Sequence, residues 1–184
     1  MNEQQQYLLQ VYFQEYEKLK DEQAQRIGFR DNIIFVTIGA FGGILSFALS
    51  NKISYYALLV IPWVCLILGW IYLVNDEKIS AIGRYIRITL AKKITDLIGN
   101  EGNESILGWE VAHRNDKLRK SRKIEQLIID EITFVFSGFI ALLAFLFSIS
   151  KPTLAIQVLV AIEFMLLLFL AIKIFIYTDI AEGK

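Results

Sequence analysis

The chain has few of the residues from which reactive sites are built. Its 184 residues include one cysteine, Cys65, and one histidine, His113. A single cysteine excludes an internal disulfide, and the pair is too small a ligand set for the common zinc centres. No paired nucleophile and base, no P-loop and no dinucleotide fingerprint occurs. The expectation is a protein that is not an enzyme and that needs neither metal nor cofactor. Net charge is also lacking, with 19 basic and 19 acidic residues, so composition alone names no polyanionic partner. Proline is scarce: one of the two, Pro152, falls in a short loop. The other, Pro62, is expected to kink the apolar run that contains it.

What is abundant is apolar sequence, at 55% of the chain. It is gathered into four runs, residues 32–50, 55–74, 132–149 and 153–177. Each is close to the ~20 helical residues that cross a hydrocarbon core. In lipid the backbone must satisfy its own polar groups, which makes these runs helices. The alternative, a very apolar soluble bundle, would show shorter runs with a polar stripe on each helix. The expected fold class is therefore all-α: an integral membrane protein with four transmembrane helices in two hairpins. With four spans in so short a chain, no soluble enzyme domain of ordinary size fits beside them.

Charge orients the expected topology. Lys18, Lys20, Arg26 and Arg30 lie on the N-terminal arm, and eleven more basic residues lie between Lys78 and Lys123. The short loops 51–54 and 150–152 hold only Lys52 and Lys151. The positive-inside rule then puts both termini and the middle segment in the cytoplasm. The first thirty residues are polar, so no cleavable signal is expected. The organisation reads as a cytoplasmic helical arm (1–31), a first hairpin (32–74), a cytoplasmic helical segment (75–130), a second hairpin (131–178) and a cytoplasmic tail (179–184).

The arm repeats Leu9, Tyr12, Phe13, Tyr16, Leu19, Gln23 and Ile27 at helical spacing. It is expected to run on into the first span, with Gly28 as a joint. Its apolar stripe must bury against the middle segment or against another subunit. In the middle, residues 79–98 form an amphipathic helix with Ile79, Ile82, Ile86, Leu90, Ile94 and Leu97 on one side. It lies at the membrane surface or packs on the arm. A glycine- and asparagine-rich turn at 99–103 follows, then a polar helix from about residue 110 to 131.

Several residues could carry a function. Asn32, Gly39, Gly43, Ser46 and Ser50 share one face of the first span, and Gly39 and Gly43 make a GxxxG pair that lets another backbone approach. Thr133, Ser137, Ala141, Ala144 and Ser148 form a comparable stripe on the third. Either stripe packs helices within one subunit or lines a wet path between subunits. Glu163 sits near the middle of the fourth span. A carboxyl there should face an interface or water, or bond a neighbouring helix as the neutral acid. Asn32, Gly39, Gly43, Ser46 and Glu163 are the pore or gate candidates. At the inner membrane edge Arg30, Asp31, Asp76 and Glu77 could form an ion-pair latch or a topological anchor. Arg84, Arg87 and the run Lys117, Arg119, Lys120, Arg122 and Lys123 are the candidates for binding anionic lipid or a nucleotide or oligonucleotide phosphate. The bland reading of that run is a topology signal on a solvated face.

The stretches EQAQRIGFRDNIIFVTIGAFGG (22–43) and YALLVIPWVCLILGWIYLVNDEKISAIGRYIR (56–87) resemble the small four-span membrane effectors of bacterial antiphage defence. These include the four-span effectors of cyclic-oligonucleotide (CBASS) systems and the membrane effector of the Hailong system. The resemblance covers roughly the first half of the chain and the hairpin layout of the second. It implies a homo-oligomeric channel in the bacterial inner membrane, a tetramer by preference, whose opening depolarises the host during infection. In the Hailong case it further implies a channel kept closed by a bound DNA oligomer; for this chain a nucleotide or oligonucleotide ligand, or a partner from a cytoplasmic nucleotidyltransferase system, is expected. A non-conducting membrane scaffold that recruits a cytoplasmic partner is the alternative.

Overall fold

The computed structural model describes residues 2–50, 52–99, 106–108, 112, 116 and 118–178, with backbone alone at 52–54. Helices α1 (Glu3–Ser50), α2 (Val60–Tyr85), α3 (Ala91–Ile98), α4 (Arg119–Glu131), α5 (Ser137–Ser148) and α6 (Leu154–Tyr177) account for nearly all of it. No strand occurs among the described residues. Four continuous helical stretches are long and apolar enough to cross a membrane: Glu3–Ser50, Tyr55–Ile98, Arg119–Ser148 and Leu154–Tyr177.

Local chemistry sets the helix ends. α1 starts at a capping box in which Asn2 takes the usual serine or threonine place. The Gln5 amide donates to Asn2 Oδ1 at 2.8 Å, and the Asn2 amide donates to Gln5 Oε1 at 2.9 Å. Two otherwise unbonded first-turn donors are satisfied this way. The helix then continues for 48 residues, about 72 Å at 1.5 Å per residue. Gly28 does not interrupt it. At the end of α3, Gly99 takes φ +67° and its amide donates to the Thr95 carbonyl at 3.1 Å. That left-handed residue stops α3 where glycine bears no Cβ penalty.

The second apolar run departs from a simple span. Lys52–Leu59 is a 3-10 helix, and the α-helix begins only at Val60. Pro62 thus falls in the first turn of α2, where a missing N–H costs no helical bond. The 3-10 to α transition lies just before Pro62, the residue expected to kink this run. α2 then passes through Asn75-Asp76-Glu77-Lys78 without a break. A π turn at Ile86–Leu90 joins it to α3, and another at Ile132–Phe136 joins α4 to α5. Each π turn inserts one residue into the helical register. At the second, the Ser137 amide and hydroxyl both donate to the Ile132 carbonyl, the hydroxyl at 2.9 Å.

The described residues fall into two compact units, one from Met1–Phe29 and Asn75–Lys120, the other from Arg30–Val74 and Ser121–Lys184. In the first, Ile86, Leu90 and Ile94 are completely buried, and Ile79, Ile82 and Leu97 are half-buried. The amphipathic face therefore packs beside the arm. Gln23 Nε2 donates to the Ile79 carbonyl at 3.2 Å, and the Tyr85 hydroxyl donates to Glu15 Oε1 at 2.7 Å.

The second unit holds two apolar clusters. One joins Ala48, Leu58, Leu59, Ile61, Cys65, Ala141, Leu142, Phe145 and Leu167. The other joins Ile33, Tyr72, Leu73, Phe134, Val135, Leu170 and Ile174. Two glycines sit directly under neighbouring side chains. A Cβ on Gly69 would stand 2.9 Å from Leu170 Cδ2 and 3.0 Å from Phe134 Cβ, and one on Gly138 would stand 2.8 Å from Leu167 Cδ1. Small residues at such points let backbones approach and gain dispersion contacts, the main association term where solvent is as apolar as the side chains. The outward face of this unit is apolar too, with Phe35, Ile38, Phe47, Ile140, Phe147, Met165 and Phe175 exposed.

Candidate functional site

The buried face of the apolar half of α1 is Ile33, Thr37 and Ala48. Thr37 is fully buried and its hydroxyl donates to the Ile33 carbonyl at 2.7 Å. Helical spacing places Asn32, Gly39, Gly43, Ser46 and Ser50 away from that face, and all five are exposed. A Cβ at Gly39, Gly42 or Gly43 would meet nothing within 4 Å. Ser46 bonds only back to its own helix, at the Gly42 carbonyl. The GxxxG pair therefore does no packing inside the chain. The matching stripe on the third span behaves differently: Ala141 is buried, Thr133 and Ser137 are half-buried, and Ala144 and Ser148 are exposed.

Glu163 is completely buried in the second unit. Neither carboxyl oxygen has a hydrogen-bond partner. The Trp63 indole N–H is the polar group that bears on it. Within this chain the side chain is not exposed.

Of the latch candidates, Arg30 and Asp31 belong to the second unit and Asp76 and Glu77 to the first. Arg30 Nη2 and Nε donate to Asp31 Oδ1 at 3.1 and 3.2 Å, and the guanidinium stands 6.0 Å from the Tyr72 ring centre. Gln126 Nε2 donates to the Tyr72 hydroxyl at 3.3 Å, and that phenol also bears on Asp130. Asp76 is half-buried and engaged, and Glu77 is exposed. Tyr72, Gln126 and Asp130 were not singled out by sequence. A tyrosine three residues before a polar run is an interfacial anchor by composition, which is the signal that could have found them.

The first unit carries a polar seam. Arg26 donates to Glu22 Oε1 at 2.6 Å and to Asn75 Oδ1 at 3.2 Å. Glu22, Gln25, Arg26, Phe29 and Asn75 line a shallow groove of about 480 Å³. Lys93 Nζ donates to the Tyr85 hydroxyl at 3.3 Å and lies 5.8 Å from the Tyr12 ring centre. The bond to Tyr85 holds the ammonium above its ordinary titration range.

The basic candidates are scattered in environment. Arg84, Lys120 and Arg122 are exposed, Arg87 and Lys123 are half-buried, and Arg119 is buried. Arg87, Arg119, Lys120, Arg122 and Lys123 are each engaged within the chain. Lys117 and His113 lie outside the described residues. Among the described residues no cluster of His, Cys, Asp or Glu could hold a metal ion. No known protein family, curated protein or solved structure matches the chain.

Proposed function

We propose that this chain inserts its four apolar helices in a bacterial inner membrane as two hairpins, termini inward, and assembles with copies of itself around a gated ion path. A tetramer is the favoured assembly. The observation that carries the reading is the open small-residue face of α1. Asn32, Gly39, Gly43, Ser46 and Ser50 are exposed and unpacked, while the glycines that serve packing within the chain, Gly69 and Gly138, are already filled. A face with no Cβ and a row of hydroxyl and amide groups suits close approach of a second backbone and a wetted lining. The same helix runs on into the arm, so a ligand or partner acting on the cytoplasmic helices has a continuous lever on the path. With the resemblance to antiphage effectors, the reading extends to depolarisation of the host during infection.

The ligand side of the proposal rests on Arg84, Lys120 and Arg122, three exposed cations of the middle segment. If they hold a nucleotide or short oligonucleotide, affinity falls steeply with added salt. Reversal of Lys120 and Arg122 to glutamate then abolishes binding. Salt-independent binding, or binding unchanged by the reversals, rejects that part.

Single-channel recording on the purified chain in a planar bilayer tests the path itself. Discrete conductance steps that vanish in Gly43→Leu are expected. An inserted, assembled chain without conductance supports the second reading, a membrane scaffold. Tyr7, Leu8, Val11 and Phe13, exposed on the arm, favour that reading as a docking face for a cytoplasmic partner.

A further inference from the structure

We propose that Glu163 is a proton-binding site inside each subunit, and that release of its proton loosens the apolar helix cluster around it. The inference rests on the membrane insertion proposed above but not on conduction.

Position comes first. Val160, Glu163 and Leu167 follow one another at three- and four-residue spacing on α6, which puts them on one face. Leu167 is fully buried in the Phe145-containing cluster, and Val160 packs against that cluster. Glu163 therefore lies on the packing face of α6, and it is 0% exposed in the single chain. That separates it from a pore lining formed only where copies meet.

Chemistry then selects the ligand. Both carboxyl oxygens lack a partner, and no charged side chain is among the groups that act on this one; Trp63 is the polar side chain that does. Cys65, the other titratable side chain in the cluster, is a buried thiol. Lys173 lies ten residues further along α6 and is held over the rings of Phe169 and Tyr177. An alkali cation would need several oxygens in place of its hydration shell, more than the single carboxyl of Glu163 brings. A proton needs one oxygen. An unpaired charge in so apolar a place is costly, so the cluster packs around the neutral acid. A state in which water reaches Glu163 releases the proton more readily. Loss of the proton leaves a bare charge among apolar side chains, which favours a state in which water reaches it.

Two measurements on the full chain in lipid vesicles test this without reading conduction. With Trp70→Phe and Trp109→Phe, Trp63 remains as a fluorescent reporter. Its emission should titrate with pH, and Glu163→Gln should abolish the titration. In the parent chain, a hydrophobic carbodiimide should modify Glu163. The acid proton moves to a carbodiimide nitrogen as the carboxylate oxygen bonds the central carbon, and rearrangement leaves an N-acylurea seen by peptide mass. Labelling should fall severalfold from mildly acidic to alkaline pH. A Trp63 titration that survives in Glu163→Gln overturns the proposal. So does an unlabelled Glu163 at acidic pH in chains that resist alkaline extraction from the membrane. If Glu163→Gln does not insert, labelling of the parent decides alone. A chain that titrates and labels but never conducts overturns the ion path and leaves this site standing.

Discussion

The two units of this chain are held together by different physics. In the unit built from the arm and the middle helices, polar groups meet across helices: Gln23 with the Ile79 carbonyl, Arg26 with Asn75, Tyr85 with Glu15, Lys93 with Tyr85. In the unit built from the apolar runs, interlocking side chains dominate, and two glycines sit directly under their neighbours. Its most deeply buried charge-bearing side chain, Glu163, has the Trp63 indole as its polar neighbour. In water, a polar seam is cheap because unpaired groups can be solvated, and an apolar outer surface is a liability. In lipid the costs reverse. The contrast suits the proposed placement of one unit in water and the other in lipid.

The largest expected effect breaks the packed unit. Phe134 is fully buried, with its ring 5.1 Å from that of Tyr72. Phe134→Ala should cost on the order of 3–5 kcal/mol from lost contacts and cavity, read as a large fall in thermal unfolding temperature in detergent. A small change would mean this unit relies on something other than interdigitated side chains. Next comes the glycine pair of comparisons. Gly69→Leu should destabilise the monomer by about 1–3 kcal/mol through overpacking against Leu170 and Phe134. Gly43→Leu should leave monomer unfolding unchanged while reducing the oligomer, because its Cβ meets nothing within the chain. Equal effects on monomer stability would erase the distinction between filled and open glycines.

Smaller effects belong to the polar unit. Tyr85→Phe removes the hydrogen bond to Glu15 and should cost about 0.5–1.5 kcal/mol, seen as faster amide exchange in the arm. Glu22→Gln breaks the ion pair with Arg26, whose partners are partly exposed. It should cost below about 1 kcal/mol and less at high salt. If Glu22→Gln proved the costlier of the two, the seam would be electrostatic rather than hydrogen-bonded.

Much of this was readable in the sequence, and the parts that were not share a cause. Periodicity placed the Ile79-to-Leu97 face correctly, because apolar residues on a long helix must bury and their spacing says which side. Continuity through Gly28 followed from strong helix formers on either side. The π turns at Ile86–Leu90 and Ile132–Phe136 carry no local signature, since they arise from tertiary packing. The GxxxG template singled out Gly39 and Gly43, yet the glycines filled within the chain are Gly69 and Gly138. Each of those stands alone in its span, and only the three-dimensional neighbour shows that a Cβ has no room. Glu163 was conspicuous as a charge in an apolar run. Its burial within the chain depends on how α6 is rotated, which a run of leucine, isoleucine and phenylalanine does not specify.

The account turns on α1 meeting a second copy through its glycine face. Disulfide cross-linking in native membranes reads this directly, using Gly43→Cys and Ile38→Cys, each with Cys65→Ser. Ile38 is exposed but lies on the far side of the helix from Gly43 by helical spacing. Rapid oxidative capture of a covalent dimer at position 43, with little at position 38, is the result expected. Equal capture at both positions, or capture at 38 alone, would contradict it.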